Sequence, residues 1–369
     1  MKNGKIGCKM NSDRIGVLLA QLGTPDEPTP KALRSYLKQF LWDPRVIEIN
    51  RALWWMILNG IILNVRPKKS AALYSRIWTE EGSPLLLITQ SQTNIVQDKL
   101  KEIDPTICVE YGMRYGTPSL ESAIDKLIDD GCSKILLVPM YPHYSAPTTA
   151  SVYDAVFPHL LKRRFVPTLR VVEPFFAHDG YVKPQAEVIR EAYASFPERP
   201  EKLILSYHGV PQSYVDKGDP YCCQCTETTY ALRNELSEFA EGEIIHTYQS
   251  RFGNDPWLIP YTDDTIEELA KQGVKSVAIA CPGFLADCLE TLDEMGNEAR
   301  ELFEEHGGEE LYLIPCLNTH PAWMQGFTDI ITSEIGSWLE TSKRTAQADC
   351  AVKCPVVQEK SRQKKLLAS

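Results

Sequence analysis

The sequence predicts an α/β protein built as two similar doubly wound halves, each around a parallel sheet, with a ligand cleft between them. Three observations carry this. Short apolar runs stop at Gly- or Pro-containing loops, as buried parallel strands do: IGVLLA before Gln21-Leu22-Gly23, LILSY before His208-Gly209-Val210-Pro211, and SVAIA before Cys281-Pro282-Gly283. Two long segments, VEYGMRYGTPSLESAIDKLIDDGCSKILLVPMYP and HTYQSRFGNDPWLIPYTDDTIEELAKQGVKSVAIACPGF, repeat one layout. Each reads as a strand, an Arg-aromatic-Gly triplet (Arg114-Tyr115-Gly116, Arg251-Phe252-Gly253), a Pro-containing loop, an amphipathic helix, a Gly stop (Gly131, Gly273) and an apolar strand. Finally, 369 residues suit two domains of about 150 each.

In chain order, residues 1–12 read as a disordered leader, 13–170 as the first half and 171–320 as the second. A closing helix follows at 321–342, then a flexible basic tail over 343–369. The strand from Ile15 leads through Gln21-Leu22-Gly23-Thr24-Pro25 into a helix near Pro30. Residues 31–80 are mostly helical, with a break at Trp42-Asp43-Pro44. Within them LWWMILNGIILNV, Leu53 to Val65, is too short to span a bilayer and is interrupted by Asn59, Gly60 and Asn64. Trp54 and Trp55 beside Arg51 and Arg66 make residues 53–65 an apolar surface lip that meets an apolar ligand or a membrane interface; a core helix is the alternative. Glu81 to Pro84 is a turn before the helix LLLITQSQTNIVQDKL, and strands and helices alternate from Cys108 onward.

The net charge of −10 argues against nucleic acid as a partner, because phosphate neutralisation needs a basic surface. The first residues have no apolar core of a signal peptide. Eleven scattered cysteines, an odd number, then point to a reduced, cytoplasmic setting. Peripheral contact at the inner face of the membrane is the expectation that the lip adds.

The chemistry is expected at two strand ends. His208 ends one strand, where open α/β sheets place their ligands. About eighty residues on, CPGFLADCLETLDE presents Asp287 and Glu290 as a helix begins, three apart and on one face. An imidazole facing a carboxylate relay across a crevice suits proton transfer and binding of a divalent metal. His143 and Tyr144, in YPHYSAPTTAS, follow a strand of the first half and should face the same cleft.

LSYHGVPQSYVDKGDPY, TYQSRFGNDPWLIPYTD and CPGFLADCLETLDE, with LLAQLGTPDEPTPKALRSYLKQFL in front, together resemble ferrochelatase, in the form found in Gram-negative bacteria. The resemblance runs from about residue 15 to residue 330. It implies the chelatase fold, two Rossmann-like domains, and insertion of ferrous iron into protoporphyrin IX in the last step of haem synthesis. It also implies that His208 and Glu290 are catalytic and meet the metal, with Asp287 beside them. Leu22, Arg66, Tyr74, Ser83, Arg114, His143, Tyr144 and Trp257 fall where the family lines its porphyrin pocket or anchors propionates. Guanidinium groups suit carboxylates, so Arg66 and Arg114 are sensible propionate partners. His143 stands where many relatives have Gln, and Cys288 where the animal enzymes have His. A chelatase for coproporphyrin or another metal, and a non-catalytic haem-binding protein, are the competing readings.

Some ferrochelatases carry a 2Fe–2S cluster. The animal arrangement cannot be copied here: the tail has only Cys350 and Cys354, and Ala146 stands at the mid-chain ligand. The candidate ligands are instead Cys222, Cys223 and Cys225, crowded after the His208 loop, with a fourth from Cys281, Cys288 or the tail pair.

Overall fold

The computed structural model describes residues 14–253 and 255–345; the expected leader and nearly all of the expected tail lie outside them. The first sheet joins β1 (Arg14–Gly23), β2 (Cys108–Tyr115), β3 (Cys132–Pro139) and β4 (Thr168–Val171) in the order β2-β1-β3-β4. The second joins β5 (Lys202–His208), β6 (Ile244–Gln249), β7 (Ser276–Ala280) and β8 (Glu310–Leu313) in the order β6-β5-β7-β8. Every pairing is parallel. The strands are apolar on both faces because helices cover both faces.

The two sheets are copies, and main-chain bonds fix their alignment. The Met113 amide donates to the Pro118 carbonyl at 2.7 Å, and the Tyr248 amide to the Pro260 carbonyl at 2.8 Å. Gln21 stands opposite Met113 and Tyr207 opposite Tyr248, so Leu22 is the counterpart of His208. The Arg-aromatic-Gly echo is therefore out of register: the counterpart of Arg114 is Gln249, which ends β6, and Arg251 lies in the loop beyond. The Gly stops do correspond. Gly131 and Gly273 have φ of 91° and 90°, the left-handed conformation that ends a helix.

Between β1 and β2 run α1 (Pro30–Trp42), α2 (Arg51–Ile57), a π-helical turn (Leu58–Ile62), α3 (Leu63–Ile77) and α4 (Pro84–Ile103). Thr29 caps α1, its hydroxyl accepting the Ala32 amide at 3.3 Å, and Asn50 caps α2. The first half adds α5 (Leu120–Asp129) and α6 (Ser151–Leu161), and α7 (Asp179–Ser195) crosses to the second. There follow α8 (Gln212–Asp216), α9 (Tyr221–Glu235), α10 (Thr262–Lys271), a π-helix (Glu290–Glu298), α11 (Ala299–Glu305) and α12 (Pro321–Thr345), which packs on α7 and α4.

One apolar cluster takes residues from both sheets, including Val17, Leu19 and Val138 with Leu203, Leu205 and Ala278, and seals them with Trp323 and Phe327 of α12. The outer faces have their own clusters, and a fourth joins α1 and α3 to the end of β2. The region 53–65 divides. Leu53, Trp55, Met56, Ile61 and Val65 are exposed, but Trp54 is buried and its indole donates to the Leu41 carbonyl at 2.7 Å. Trp54 therefore belongs to the core, not to a lip; on a helix, adjacent residues face different ways.

Candidate active site

His208 is the last residue of β5 because the chain must turn at Gly209. A side chain there would come 2.8 Å from the Gln249 carbonyl and 3.2 Å from the ring of Trp257. His208 Nδ1 lies 2.7 Å from the Gly209 carbonyl oxygen. A carbonyl only accepts, so Nδ1 carries a proton, and the lone pair of the neutral ring is at Nε2. The half-buried ring sits 6.4 Å, centroid to centroid, from Phe284.

The carboxylates come from the π-helix after β7. Glu290, Glu294 and Glu298 are spaced by four and share one face. Burial, then the Glu290 charge, raises the Glu294 carboxyl to about 7, and burial raises Glu298 as well. Ser250 donates its hydroxyl to Glu294 Oε2 from a backbone with φ of 66°, unusual for a residue with a side chain. Gln249 joins the two motifs. It stands opposite His208 in register, its Oε1 accepts Ser206 Oγ at 2.8 Å, and its Nε2 donates to the Glu290 carbonyl at 2.9 Å.

Asp287 is placed differently from the expected relay. Its Oδ1 accepts the Thr291 hydroxyl at 3.1 Å and the Cys316 amide at 3.2 Å, and its Oδ2 accepts Asn318 Nδ2 at 2.6 Å. Both oxygens are committed to anchoring the helix start, and the acidic neighbour of Glu290 along the helix is Glu294. Neither Gln249 nor Glu294 was expected from the sequence, although the spacing in ETLDEMGNE carries the signal for the second.

The other wall comes from the first half. Glu290 lies near enough to Tyr36 and Tyr74 to add, after burial, to the rise in their phenol pKa values. Arg76 of α3 bonds Asp293 at 3.0 Å and docks this wall against the π-helix. Leu22 packs in the same cluster as Tyr74 and Leu289, and Ser83, buried, shares a 2.9 Å hydrogen bond with Thr24. Trp257 lies against Gly209 with its indole donating to the Phe252 carbonyl at 2.8 Å. The Arg66 guanidinium stands 4.9 Å over the ring of Phe252, and among the described residues it has no carboxylate partner.

A ferrochelatase family model matches residues 14–335. The chain is 49% identical to the ferrochelatase of Thioalkalivibrio sulfidiphilus, over 89% of both chains. It is 46% identical to that of Chromobacterium violaceum, over 92% of this chain and 93% of the relative. The chain belongs to the ferrochelatase family. It is accordingly a metal chelatase, a lyase of haem biosynthesis. Among solved structures it is similar to SirB from Bacillus subtilis with Fe3+, with a TM-score of 0.51 and 13% identity over 90% of this chain and 98% of that one; this likeness establishes the chelatase fold.

Two residues expected in the ferrochelatase pocket have other partners. Arg114 pairs with Asp43 at 2.5 Å and donates to the Ser151 hydroxyl at 2.6 Å. Burial opposes ionisation of Asp43, but hydrogen bonds from Ser151, the Arg45 amide and Tyr115, with the Arg114 charge, hold its carboxyl below the usual value. The charge of Arg114 is thus already met inside the protein. His143 is buried rather than facing the cleft. Its Nε2 lies 2.8 Å from Thr228 Oγ1, and the rings of Tyr181, Tyr207, Tyr221 and Phe176 surround it. Tyr144, next to it, is half-buried, with its amide donating to Gln224 Oε1 at 2.7 Å.

The cysteines after the His208 loop do not form a cluster site. They lie in the first turns of α9, not in an extended loop. Cys225 points into the central core, Cys222 accepts from Tyr248 at 3.6 Å, and Cys223 is exposed. Cys281 and Cys288 belong to two other apolar clusters. Among the described residues the one convergence of three metal-type side chains is Glu187, Glu191 and His320, which includes no cysteine. A 2Fe–2S cluster needs four convergent ligand side chains, and Cys222, Cys223 and Cys225, which diverge on α9, do not supply them. Cys350 and Cys354 lie outside the described residues.

Proposed function

We propose that the chain inserts ferrous iron into protoporphyrin IX, with release of two protons, in a cleft between its two halves. The observation that supports this reading is the link from His208 through Gln249 to the Glu290 main chain, from a strand-end imidazole bonded through Nδ1 to the start of a line of carboxylates. Porphyrin and Fe2+ are both substrates. As Fe–N bonds form, two pyrrole N–H protons must leave, and His208 Nε2 receives them one at a time, passing the first to Glu290 before it takes the second. Glu290 offsets the metal charge and hands protons to Glu294, whose carboxyl is held at about 7, and then to Glu298 at the less buried end.

Leu22, Tyr74, Ser83 and Trp257 form the apolar and polar lining of this cleft, with Tyr144 at its edge. Arg66 receives a propionate, because among the described residues its guanidinium has no carboxylate partner. The exposed Leu53, Trp55, Met56, Ile61 and Val65 form the face that meets the apolar substrate and a bilayer interface. No helix among the described residues is long and apolar enough to cross a membrane.

The test is anaerobic turnover of purified protein with Fe2+ and, separately, protoporphyrin and coproporphyrin, read from haem absorbance. Haem should form faster from protoporphyrin. His208→Ala should abolish insertion and Glu290→Gln should cost at least about a hundredfold, while porphyrin fluorescence still reports binding. Unchanged turnover in either variant would overturn the site; preference for coproporphyrin would overturn the substrate.

A further inference from the structure

The end of the first sheet remote from His208 carries a second group of reactive side chains. Cys108 on β2 stands opposite Gly16, and Cys132 on β3 stands opposite Arg14, with a register shift between Arg14 and Ile15. Register partners point to one face, so both thiols and Arg14 share the face on which Gly16 leaves a gap. Cys132 leans into that gap: its Cβ and Sγ lie 3.2 and 3.3 Å from where a Gly16 Cβ would be. On the other side, half-buried Cys108 accepts a hydrogen bond from Arg14 Nη2 at 3.0 Å. The guanidinium is itself fixed, donating to the Thr106 and Asp130 carbonyls at 3.0 and 2.8 Å.

A fixed guanidinium thus donates to the sulfur, the arrangement that favours a thiolate, and the thiol's own bond is a long one, to the Thr106 carbonyl at 3.8 Å. The hydrogen bond from Cys132 and the Arg14 charge bring the Cys108 thiol down to about 7, against its partial burial and the weaker opposing charges of Asp130 and Glu110. The Cys132 thiol is pushed up. The other described cysteines differ: Cys225, Cys281, Cys288 and Cys316 are sealed by burial, Cys223 is exposed, and half-buried Cys222 accepts from the neutral Tyr248 hydroxyl rather than from a cation.

We propose that Cys108 and Cys132 form a peroxide-sensitive dithiol, in which Cys108 is the attacking thiolate and Cys132 the resolving thiol. The Cys108 thiolate displaces hydroxide from a hydroperoxide, and a proton from solvent completes the water: RS⁻ + HOOH + H⁺ gives RSOH and H₂O. The Cys132 thiol then attacks the sulfenic sulfur, losing its proton to the departing hydroxyl, so that a disulfide and a second water form. Strand spacing alone separates β2 from β3 by about 9–10 Å, beyond a relaxed disulfide. The missing Gly16 side chain leaves the two thiols room to meet over β1, and the starts of β2 and β3 must close toward each other for the bridge to form. A bridge made this way is strained and readily reduced.

The test treats the full chain with a small excess of hydrogen peroxide at neutral pH, blocks remaining thiols and maps peptides by mass. Cys108 and Cys132 peptides should be joined, and dithiothreitol should separate them. In Cys132→Ser, oxidation should stop at a Cys108 sulfenic acid that dimedone captures. Arg14→Gln should slow alkylation of Cys108 by iodoacetamide at pH 7 at least severalfold, with the difference gone at pH 10. Cys108 left intact while Cys223 is oxidised, or joined to any cysteine but Cys132, would overturn the proposal. So would the absence of a dimedone adduct in Cys132→Ser.

Discussion

Gln249 Nε2 donates to the main-chain carbonyl of Glu290 at 2.9 Å. This bond connects the strand beside His208 to the first residue of the π-helix, and nothing in it involves a reacting group. Gln249 is 2% exposed and holds Ser206 through its other amide atom. Gln249→Leu keeps the volume and removes these bonds, taking the amide donor from the Glu290 carbonyl, while the Ser206 hydroxyl keeps only Thr262 at 2.9 Å and a longer contact to Met295. Such losses cost about 1–3 kcal/mol each when buried. The variant should melt lower and insert iron at least about tenfold more slowly, with the loss in kcat rather than in porphyrin affinity. Full kcat in a folded Gln249→Leu protein would show that the link does not position Glu290.

A proton held near neutrality makes the acid line sensitive to pH. Burial and the Glu290 charge raise the Glu294 carboxyl to about 7 from 4.5. The folded state therefore binds more protons than the unfolded one across that window, and stability falls as pH rises through it. Glu294→Gln cannot ionise and should remove this decline, making the variant about 1–3 kcal/mol more stable relative to the parent at pH 8 than at pH 5 in urea titrations. Turnover should move the other way. The parent rate should climb with pH through about 7 as Glu294 becomes able to accept, and the Gln variant should be slow and lack that limb. A parent-like pH profile in Glu294→Gln would remove it from the relay.

The fold was legible because its signals are local and doubled. Strand-length apolar runs, the stops at Gly131 and Gly273, and the likeness of the chain around Leu22 to that around His208 all survive in the register of the sheets. The Arg-aromatic-Gly echo misled, since a triplet carries no register and β6 ends before Arg251. Within the site, His208 and Glu290 were legible as strand-end and helix-start residues. Gln249 was not, because an amide in a strand becomes a positioning group only when its neighbours are known. His143 failed for a similar reason. A histidine after a strand reads as facing the cleft, and only the packing of Tyr181, Tyr207 and Tyr221 around it shows that it faces inward. Nor does any spacing rule separate a π-helix at Glu290–Glu298 from an α-helix.

The paired tryptophans separate core from surface. Trp54 is 7% exposed with its indole bonded to the Leu41 carbonyl, and Trp55 is 57% exposed. Trp54→Ser should cost roughly 3–5 kcal/mol and lower the yield of soluble protein. Trp55→Ser should leave the melting temperature nearly unchanged but weaken binding to liposomes and raise KM for protoporphyrin. Equal effects of the two substitutions on melting would show that residues 53–65 act as one packed unit and present no free apolar face.

Acid stability should depend on His143. Burial brings its imidazole down to about 3 from 6.5, with a smaller contribution from His246, so the folded ring is neutral. Its Thr228 partner also donates to the Phe176 carbonyl at 2.7 Å, which leaves Thr228 Oγ1 as acceptor and places the ring proton on Nε2. The unfolded chain takes up a proton below 6.5 and the folded chain does not until far lower. Stability is therefore intact above 6.5 and declines as pH falls toward 3, with a slope approaching about 1.4 kcal/mol per pH unit from this ring. His246, brought down to about 4 mainly by burial, adds to the decline. His143→Gln keeps a donor for Thr228 and has nothing to titrate. Urea titrations from pH 7.5 to pH 4.5 should show a shallower loss of stability in the variant, with the two proteins closest at the upper end. Identical slopes would mean that His143 is charged, or reached by water, in the folded protein.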